Sequence, residues 1–411
     1  MPHIAPVTAV PHRWLILLAL FLTACRKEAP RPAPAIEAYV WQSPARSGVA
    51  TAIERSRGAV ATLHVRAAEM RWTGKTFDTN RAITGSLPTP GCGLVLRIGA
   101  SASQLEWTPD QIAPVAKVVK ELAALGPKEI QCDYDCPQSR LDRYSRLLDS
   151  LQTSAGNVPL VPTTLPSWLD EPTFRKLVAK HPGYVLQVHS LQLPKQAGQP
   201  VMIFDPSAAR SAAKKASALG VPFRIAMATY GCEVWFGSDG KVMEVVSEDT
   251  APLTKAPASR AYALADPTES ARLVREWSAS PPSGLQAVIW YRLPVEGDRR
   301  NWPWVTFQHV IRGEEAAPDL TLESTDHDGT FDLHIVNRGD FPVPLPADAI
   351  VTTPVISADG VGAYRLEKRA DGMHYLRRDG IWPWLDPGKK IPAGWLRTHE
   401  PVSRIDWHFT P

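Results

Sequence analysis

Short apolar runs alternate with amphipathic stretches through most of the chain. The apolar runs have the length of buried strands, and apolar positions at helical spacing follow most of them. The predicted strands are 38–42, 60–65, 94–98, 129–135, 159–164, 184–190, 223–229 and 285–291. Because strands that alternate with helices form parallel sheets, residues 36–314 predict an α/β fold, a (β/α)₈ TIM-type barrel.

The clearest predicted helix starts at Thr108. This residue fits the N-cap, Pro109 the first turn and Gln111 the capping box, and Gly126 ends the helix. A hairpin is predicted at 233–246. The alternative fold is a doubly wound open sheet, but no glycine-rich phosphate loop follows the first strand, which argues against its nucleotide-binding form.

The pattern changes after residue 318. Phe331, Leu333 and Ile335 alternate with polar residues, and turn signals replace helical spacing. Residues 319–411 therefore predict a small β-sandwich of the immunoglobulin-like kind. Because this part carries no site motif, we expect it to brace the barrel; docking of a partner is the alternative.

The first residues predict export. Arg13 precedes a short apolar run, and residues 22–25 read Leu-Thr-Ala-Cys. This ending resembles the bacterial lipoprotein box, which implies a signal peptide at 1–24, lipidation of Cys25 and a membrane anchor. Residues 25–35 hold several prolines and predict a stiff tether. Arg26 in place of Asp implies the outer membrane of a Gram-negative envelope, facing the periplasm or the cell surface.

Net charge and cysteine content limit the partners, disulfides and metal sites that the sequence predicts. The formal net charge of +3 gives no broad basic surface, so no nucleic acid partner is expected. Four further cysteines, Cys92, Cys132, Cys136 and Cys232, favour disulfide pairing in an oxidising compartment, although the sequence does not fix the pairs. Only Cys132 and Cys136 lie close together and no histidine is near them, so neither a metal site nor a cofactor is predicted.

Three polar side chains share one face of the fourth predicted strand. Gln131, Asp133 and Asp135 are two residues apart, and side chains with this spacing point the same way from a strand. Burial of unpaired carboxylates is costly, so the pair of aspartates predicts a solvated, functional strand end. The alternative is a structural strand whose acids meet Arg or Lys partners.

In barrel enzymes the site lies at the carboxyl ends of the strands. We expect Asp135 and Asp133 to be catalytic there. Acids, amides, arginines and aromatic rings together suit a sugar-binding cleft. The predicted substrate-binding residues are Trp41, Glu69, Arg97, Gln131, Gln187, His189, Tyr230, Trp290 and Arg292. Each has a structural alternative: His189 as an interior histidine, Trp290 as core and Arg97 as a counter-ion of Asp133.

Residues 132–137, Cys-Asp-Tyr-Asp-Cys-Pro, resemble the fourth-strand motif of chitinase-like, family-eighteen glycoside hydrolases, Asp-x-Asp-x-Glu. The resemblance implies that Asp133 orients the acetamido group of the substrate and that Asp135 is the general acid. Trp290 resembles the tryptophan of that family's last strand, and 227–230 is similar to its Met-x-Tyr strand.

This chain departs from the motif at two positions. Asp135 stands in place of Glu and shortens the reach of the acid by one methylene. A misplacement of about 1 Å costs about 10²-fold in rate. Gln131 stands in place of the first Asp and cannot relay charge.

The whole chain also resembles a family of uncharacterised bacterial lipoproteins, known as a domain of unknown function, whose members look barrel-shaped and glycosidase-like. The predicted function is an envelope-anchored, glycoside-hydrolase-like lipoprotein that acts on or binds a polysaccharide, for which an amino-sugar polymer is one candidate. If Glu69 faces Asp135, a two-carboxylate mechanism becomes available. The alternative is a catalytically inactive scaffold that binds a glycan or a protein. An esterase or deacetylase is a weaker alternative, because the sequence shows neither a Gly-x-Ser-x-Gly elbow nor metal-ligand spacing.

Overall fold

The computed structural model describes residues 31–247, 256–315, 319–369, 373–378, 383–399 and 405–409. The predicted signal peptide and Cys25 lie outside these residues. Eight parallel strands form a closed barrel because the first strand pairs with both the second and the eighth. They are β1 (Ala35–Val40), β2 (Thr62–Trp72), β3 (Gly93–Ile98), β4 (Ile130–Tyr134), β5 (Leu160–Thr164), β6 (Tyr184–Gln187), β7 (Phe223–Ala228) and β8 (Leu285–Tyr291). The predicted barrel is confirmed.

Helices follow seven of the eight strands. They are α1 (Val49–Arg55), α2 (Pro109–Ala123), α3 (Leu141–Ala155), α4 (Pro172–Val178), α5 (Pro206–Ala218), α6 (Pro267–Ala279) and α7 (Trp304–Ile311). The predicted capping box is confirmed, since the Thr108 backbone N–H donates to the Gln111 side chain at 3.0 Å. Within the described residues none of the helices is long and apolar enough to cross a membrane.

Three elements differ from the predicted ones. Strand β2 continues to Trp72 and turns back through Phe77–Arg81, so Arg66 and Glu69 lie inside this strand and not after it. Strand β6 ends at Gln187, and a separate strand, His189–Gln192, pairs with Met202–Phe204. The predicted hairpin forms between Gly231–Phe236 and Val242–Val246, but a third strand, Ser259–Leu264, also joins it.

The barrel wall separates two apolar layers. One fills the barrel interior and the other lies between strands and helices. The interior layer contains Tyr39, Trp41, Val95, Val161, Val185, Ala226 and Ile289. Trp290, the neighbour of Ile289, belongs to the outer layer and packs against Trp302 and Phe307, with ring centroids 5.7 and 6.1 Å away.

The C-terminal part contains two four-stranded antiparallel sheets and a small two-stranded pair. The first sheet contains Leu320–His327, Thr330–Asn337, Lys390–Thr398 and Val355–Gly360. The second contains Tyr364–Lys368, His374–Arg378, Asp348–Val351 and Trp407–Phe409, and the pair is Val343–Pro344 with Trp384–Leu385. One apolar cluster takes residues from both larger sheets. All these strands are antiparallel, as predicted, whereas the sandwich and its immunoglobulin-like form stay predictions.

The barrel wall has no room for a side chain at Gly93. A Cβ atom there would overlap Nδ1 of His64, which is completely buried. We therefore expect Gly93→Ala to lower the free energy of unfolding by about 1–3 kcal/mol, measured by urea denaturation. Gly99→Ala is the matched control, because a Cβ atom at Gly99 meets its nearest neighbour at an ordinary 3.6 Å. Equal unfolding midpoints for the two variants would contradict this packing argument.

Candidate active site

A cleft of about 730 Å³ opens at the carboxyl ends of the barrel strands. Its lining combines carboxylates, an arginine, amides and aromatic rings, as expected from the sequence. The lining residues are Tyr39, Trp41, Val95, Arg97, Asp133, Asp135, Thr163, Leu165, Pro166, Ser167, Gln187, Val188, His189, Leu191, Gln192, Asp205, Ala208, Tyr230 and Tyr291. The volume lies within the usual range for small-ligand sites, about 300–1,000 Å³.

Asp133 forms the floor of the cleft and is held there by an ion pair and a hydrogen bond. The strand register places it beside Arg97, whose Nη1 lies 2.5 Å from Oδ2. Its other oxygen, Oδ1, accepts a hydrogen bond of 2.8 Å from Thr163 Oγ1. Asp133 is only 4% exposed, so these donors replace the water that the buried charge has lost.

Asp135 lies one layer higher, just past the end of β4, and its side chain is 38% exposed. Burial raises the pKa of its carboxyl from 3.8 to about 6, and the charge of Asp133 adds to this rise. Arg97, with Nη2 at 3.7 Å, and Gln187, with Nε2 at 3.4 Å, act in the opposite direction. Asp135 therefore holds its proton closer to neutral pH than an ordinary aspartate does.

Gln187 connects the two acids. Its Nε2 lies 3.4 Å from Oδ1 of Asp133, 3.4 Å from Oδ1 of Asp135 and 3.2 Å from Oγ1 of Thr163. An amide nitrogen can only donate, so Nε2 favours negative charge on both carboxylates. Its position at the end of β6 fixes the amide between them.

Four aromatic rings form one wall of the cleft. Tyr291 lies at the centre, with Trp41 edge-on at 4.8 Å, Tyr230 edge-on at 5.5 Å and His189 stacked at 5.0 Å. Burial lowers the pKa of His189 to about 4; Arg97 adds to this effect and Asp133 opposes it. The imidazole is therefore neutral at neutral pH and contributes a flat ring rather than a charge.

Seven of the predicted site residues meet in this cleft, namely Asp133, Asp135, Trp41, Arg97, Gln187, His189 and Tyr230. Their convergence follows from the barrel, which brings the ends of distant strands to one rim. Whether they bind substrate or catalyse a reaction stays a prediction.

The other four predicted residues do not line the cleft. Trp290 is fully buried in the outer apolar layer. Gln131 is fully buried below the cleft floor. Arg292 points into an ion pair with Asp298 at 2.7 Å.

Glu69, the fourth of these residues, pairs with Arg66 at 2.9 Å. Arg66 Nε in turn donates to the Trp41 carbonyl oxygen at 2.9 Å. Glu69 therefore supports the cleft rim and does not face Asp135 from across the cleft.

The sequence reading missed Tyr291 and Tyr39. The signal was available at β8, where Ile289 and Tyr291 share a face by the two-residue period while Trp290 points to the other side. The prediction of Trp290 as a cleft residue therefore assigned the wrong face of β8 to the cleft. Tyr39 has a comparable signal, because it lies two residues before the predicted cleft residue Trp41 and therefore points to the same side of the chain.

All four described cysteines, Cys92, Cys132, Cys136 and Cys232, are free and buried, so the expected disulfide pairing is not found. Burial raises the pKa of Cys132, Cys136 and Cys232 to about 12, so these thiols are protonated and unreactive. Among the residues that the structure describes, no cluster of three or more metal-ligating side chains occurs.

Comparisons with known proteins give families without an assigned activity. Residues 93–296 match the family model "Domain of unknown function (DUF3142)", and residues 320–399 match "Domain of unknown function (DUF8456)". No curated protein matches the chain.

Several solved structures are similar to the chain. A chitinase from Chromobacterium violaceum ATCC 12472 is 13% identical over 68% of this chain and 99% of its own, with a TM-score of 0.45. The GH18 chitinase ChiB of Flavobacterium johnsoniae is 9% identical over 69% and 94%, with a TM-score of 0.44. The Bacillus cereus spore cortex-lytic enzyme SleL is 12% identical over 69% and 74%, also with a TM-score of 0.44.

The charge of Asp133 helps to keep the proton on Asp135. Removal of a neighbouring negative charge favours ionisation, so Asp133→Asn is expected to lower the pKa of Asp135 from about 6 toward the ordinary 3.8. Titration of ¹³C-labelled aspartate carboxyls by NMR measures this directly. Asp149→Asn, at an exposed ion pair with Lys180 on the outer surface, is the control and should leave Asp135 unchanged. An Asp135 midpoint that stays near 6 in Asp133→Asn would exclude the coupling.

Proposed function

We propose that this chain is a glycoside-hydrolase-like protein that binds a glycan in the cleft and cleaves it with Asp135 as the acid. One observation carries the proposal: two neighbouring carboxyls, one ion-paired with Arg97 and the other with its pKa raised to about 6, lie beside an aromatic wall. Pairs of acids whose environments separate their pKa values are the usual basis of acid–base catalysis on sugars.

The chemistry follows from this separation. Protonated Asp135 is half-exposed and donates its proton to the glycosidic oxygen as the bond to the anomeric carbon breaks. The resulting carboxylate then removes a proton from the water that attacks the anomeric carbon, which restores the acid. Asp133 stays ionised and stabilises the positive charge that develops on the sugar.

The substrate class is inferred from the group that could act as the nucleophile opposite Asp135. Glu69 is bound to Arg66 outside the cleft, so it does not supply a nucleophile opposite Asp135. An acetamido group on the substrate would serve instead, with its N–H oriented by Asp133, which is the substrate-assisted route. We therefore propose a polymer that contains N-acetylated amino sugars.

A glycan-binding role without turnover is the second candidate. Arg97 contacts both carboxylates and favours the ionised form of Asp135, which weakens it as an acid. The aspartate side chain is also one methylene shorter than glutamate, and the rate depends steeply on reach. Under this alternative the same cleft and aromatic wall hold the glycan.

The proposed acid is tested by Asp135→Asn. We expect at least a 10²-fold loss of hydrolysis of N-acetylated amino-sugar polymers, because the amide cannot donate a proton of comparable acidity, with binding retained. Tyr291→Ala is the matched variant that should weaken binding, since Tyr291 is the centre of the aromatic wall. Reducing-end release measures turnover, and calorimetry measures binding. Retained hydrolysis in Asp135→Asn would overturn the role of Asp135, and no hydrolysis by the unaltered protein would favour the binding role.

We also propose that the protein is held at the cell envelope by a lipid on Cys25 and that the C-terminal sheets form a sandwich that braces the barrel. The lipoprotein-like residues 22–25 support the anchor. Shared core residues of the two sheets, and the 3.0 Å hydrogen bond from Thr306 Oγ1 in α7 to the Asp340 carbonyl oxygen, support the brace.

The anchor predicts that Cys25→Ala abolishes incorporation of labelled palmitate and moves the protein from the membrane to the soluble fraction. Loss of one or more acyl chains removes the main source of membrane affinity. Cys92→Ala is the control, because Cys92 is buried and free. Palmitate labelling that persists in Cys25→Ala would contradict the assignment of this cysteine.

A further inference from the structure

Five polar side chains fill the barrel below the cleft floor. They are Glu37, His64, Glu129, Gln131 and Arg224, and each is at most 8% exposed. We call them the buried ion cluster. None of them lines the cleft, and the proposed reaction does not use them. Polar groups in such a place are costly unless each has its partner, so their arrangement is strongly constrained.

The charged members fix the outer part of the cluster. Arg224 donates to Glu37 Oε2 at 3.2 Å and to Glu129 Oε1 at 2.7 Å. Two carboxylates therefore share one guanidinium, and both act as hydrogen-bond acceptors. The hydrogen bond from His64 and the charge of Arg224 together outweigh burial and lower the pKa of Glu37.

The carboxylates dictate the direction of the Gln131 amide. The Gln131 atom 2.8 Å from Glu129 Oε1 must be the nitrogen, because a carboxylate only accepts. The same Nε2 lies 3.0 Å from His64 Nδ1, so Nδ1 accepts and carries no proton. His64 Nε2, 2.8 Å from Glu37 Oε2, then carries the proton and donates it. The hydrogen-bond directions therefore assign His64 a proton on Nε2 and none on Nδ1.

The amide direction in turn fixes Tyr39. Oε1 of Gln131 lies 2.6 Å from the Tyr39 hydroxyl, and an amide oxygen only accepts, so Tyr39 donates downward into the barrel. Tyr39 also lines the cleft. It is near enough to Asp133 that burial and the charge of this carboxylate raise the pKa of its phenol. The one proton of Tyr39 thus points away from the catalytic pair.

We propose that Gln131 is a positioning residue, which holds the Tyr39 hydroxyl proton away from Asp133. Asp133 then receives no additional hydrogen bond from Tyr39, and its negative charge acts fully on Asp135. The inference rests on the proposed function in one respect, the role of Asp135 as the acid. It also explains why an amide suits position 131. A third carboxylate beside Glu129 and Glu37 would have to share the guanidinium of Arg224 with them.

The titration of Asp135 is sensitive to the other charged and titratable groups of the cleft, and these must stay unchanged in a test. Apart from Tyr39, which the test varies on purpose, they are Arg97, Asp133, His189, Asp205, Tyr230 and Tyr291. Below the floor, Glu37, Glu129 and Arg224 face His64, and Lys128 binds Thr62 nearby. A double-mutant cycle at Gln131 and Tyr39 isolates their coupling, because the loss of the Gln131 contacts with His64 and Glu129 is common to Gln131→Leu and the double variant.

In Gln131→Leu, Tyr39 loses the acceptor that it has in Gln131 Oε1, and we expect its hydroxyl to donate to Asp133 instead. The additional hydrogen bond draws charge from Asp133, so we expect the pKa of Asp135 to fall by about 0.5 pH unit, measured by NMR of ¹³C-labelled carboxyls. Gln131→Leu with Tyr39→Phe removes the donor as well, and the pKa of Asp135 should return to its value in Tyr39→Phe alone. Equal pKa values in Gln131→Leu and the double variant, or no fall in Gln131→Leu, would overturn the proposal.

A second measurement needs no substitution at position 131. The ¹⁵N NMR spectrum of the unaltered protein should show His64 at pH 7 with a proton on Nε2 and none on Nδ1. A doubly protonated ring, or a proton on Nδ1, would reverse the amide and overturn the inference. Neither measurement depends on turnover. A protein that gives both expected NMR results but cleaves no glycan would retain the positioning role and lose the proposed function.

Discussion

The ion pair between Asp133 and Arg97 is the interaction on which the cleft depends. Parallel pairing of β3 and β4 sets these two residues directly beside each other, so the barrel register creates the contact. A carboxylate that is only 4% exposed needs such a partner to stay ionised. The charge of Asp133 helps the neighbouring Asp135 to hold its proton more tightly, so the surroundings of these two identical side chains differ.

The same constraint extends below the cleft. An apolar layer of seven residues lies in the barrel interior, and the polar layer of Glu37, His64, Glu129, Gln131 and Arg224 lies beneath the floor. This polar layer contributes little to the stability of the fold, since apolar residues of similar volume would avoid the cost of removing charged groups from water. It is tolerated because its donors and acceptors match one another. In a layer matched in this way, each hydrogen bond has a fixed donor and a fixed acceptor. This order fixes the direction in which the Tyr39 hydroxyl donates at the cleft floor.

Much of this arrangement was predictable from the sequence because period and alternation are local properties. The strand–helix alternation predicts the barrel, and the two-residue period around 131–135 places Asp133 and Asp135 on one face. Trp290 shows where local rules end. Its strand is apolar on both faces, so the inner face is fixed by pairing with β1, where Ala38 lies opposite Trp290 and Tyr39 follows on the inner side.

Glu69 and Gln131 were misplaced for a related reason. The sequence predicts an end of β2 near Val65, but antiparallel pairing with Phe77–Arg81 extends the strand to Trp72 and holds Glu69 at the rim. Gln131 shares a face with Asp133 and Asp135, as predicted. The barrel tilt nevertheless places successive inward residues in different layers, so the first of the three lies below the floor. Layer position depends on all eight strands and is not a property of any one of them.

The aspartate at position 135, where the motif that residues 132–137 resemble has glutamate, is best understood together with its surroundings. Asp135 follows the last residue of β4, where the chain turns and the Cys136 N–H donates to the Tyr134 carbonyl oxygen at 3.0 Å. The carboxyl is already within 3.7 Å of Arg97 and 3.4 Å of Gln187. These two donors oppose the effects of burial and of Asp133, so the pKa of about 6 reflects a balance between them. The short side chain keeps the carboxyl inside this set of contacts. Under the proposed function, the distance from there to a bound glycan decides between hydrolysis and binding alone.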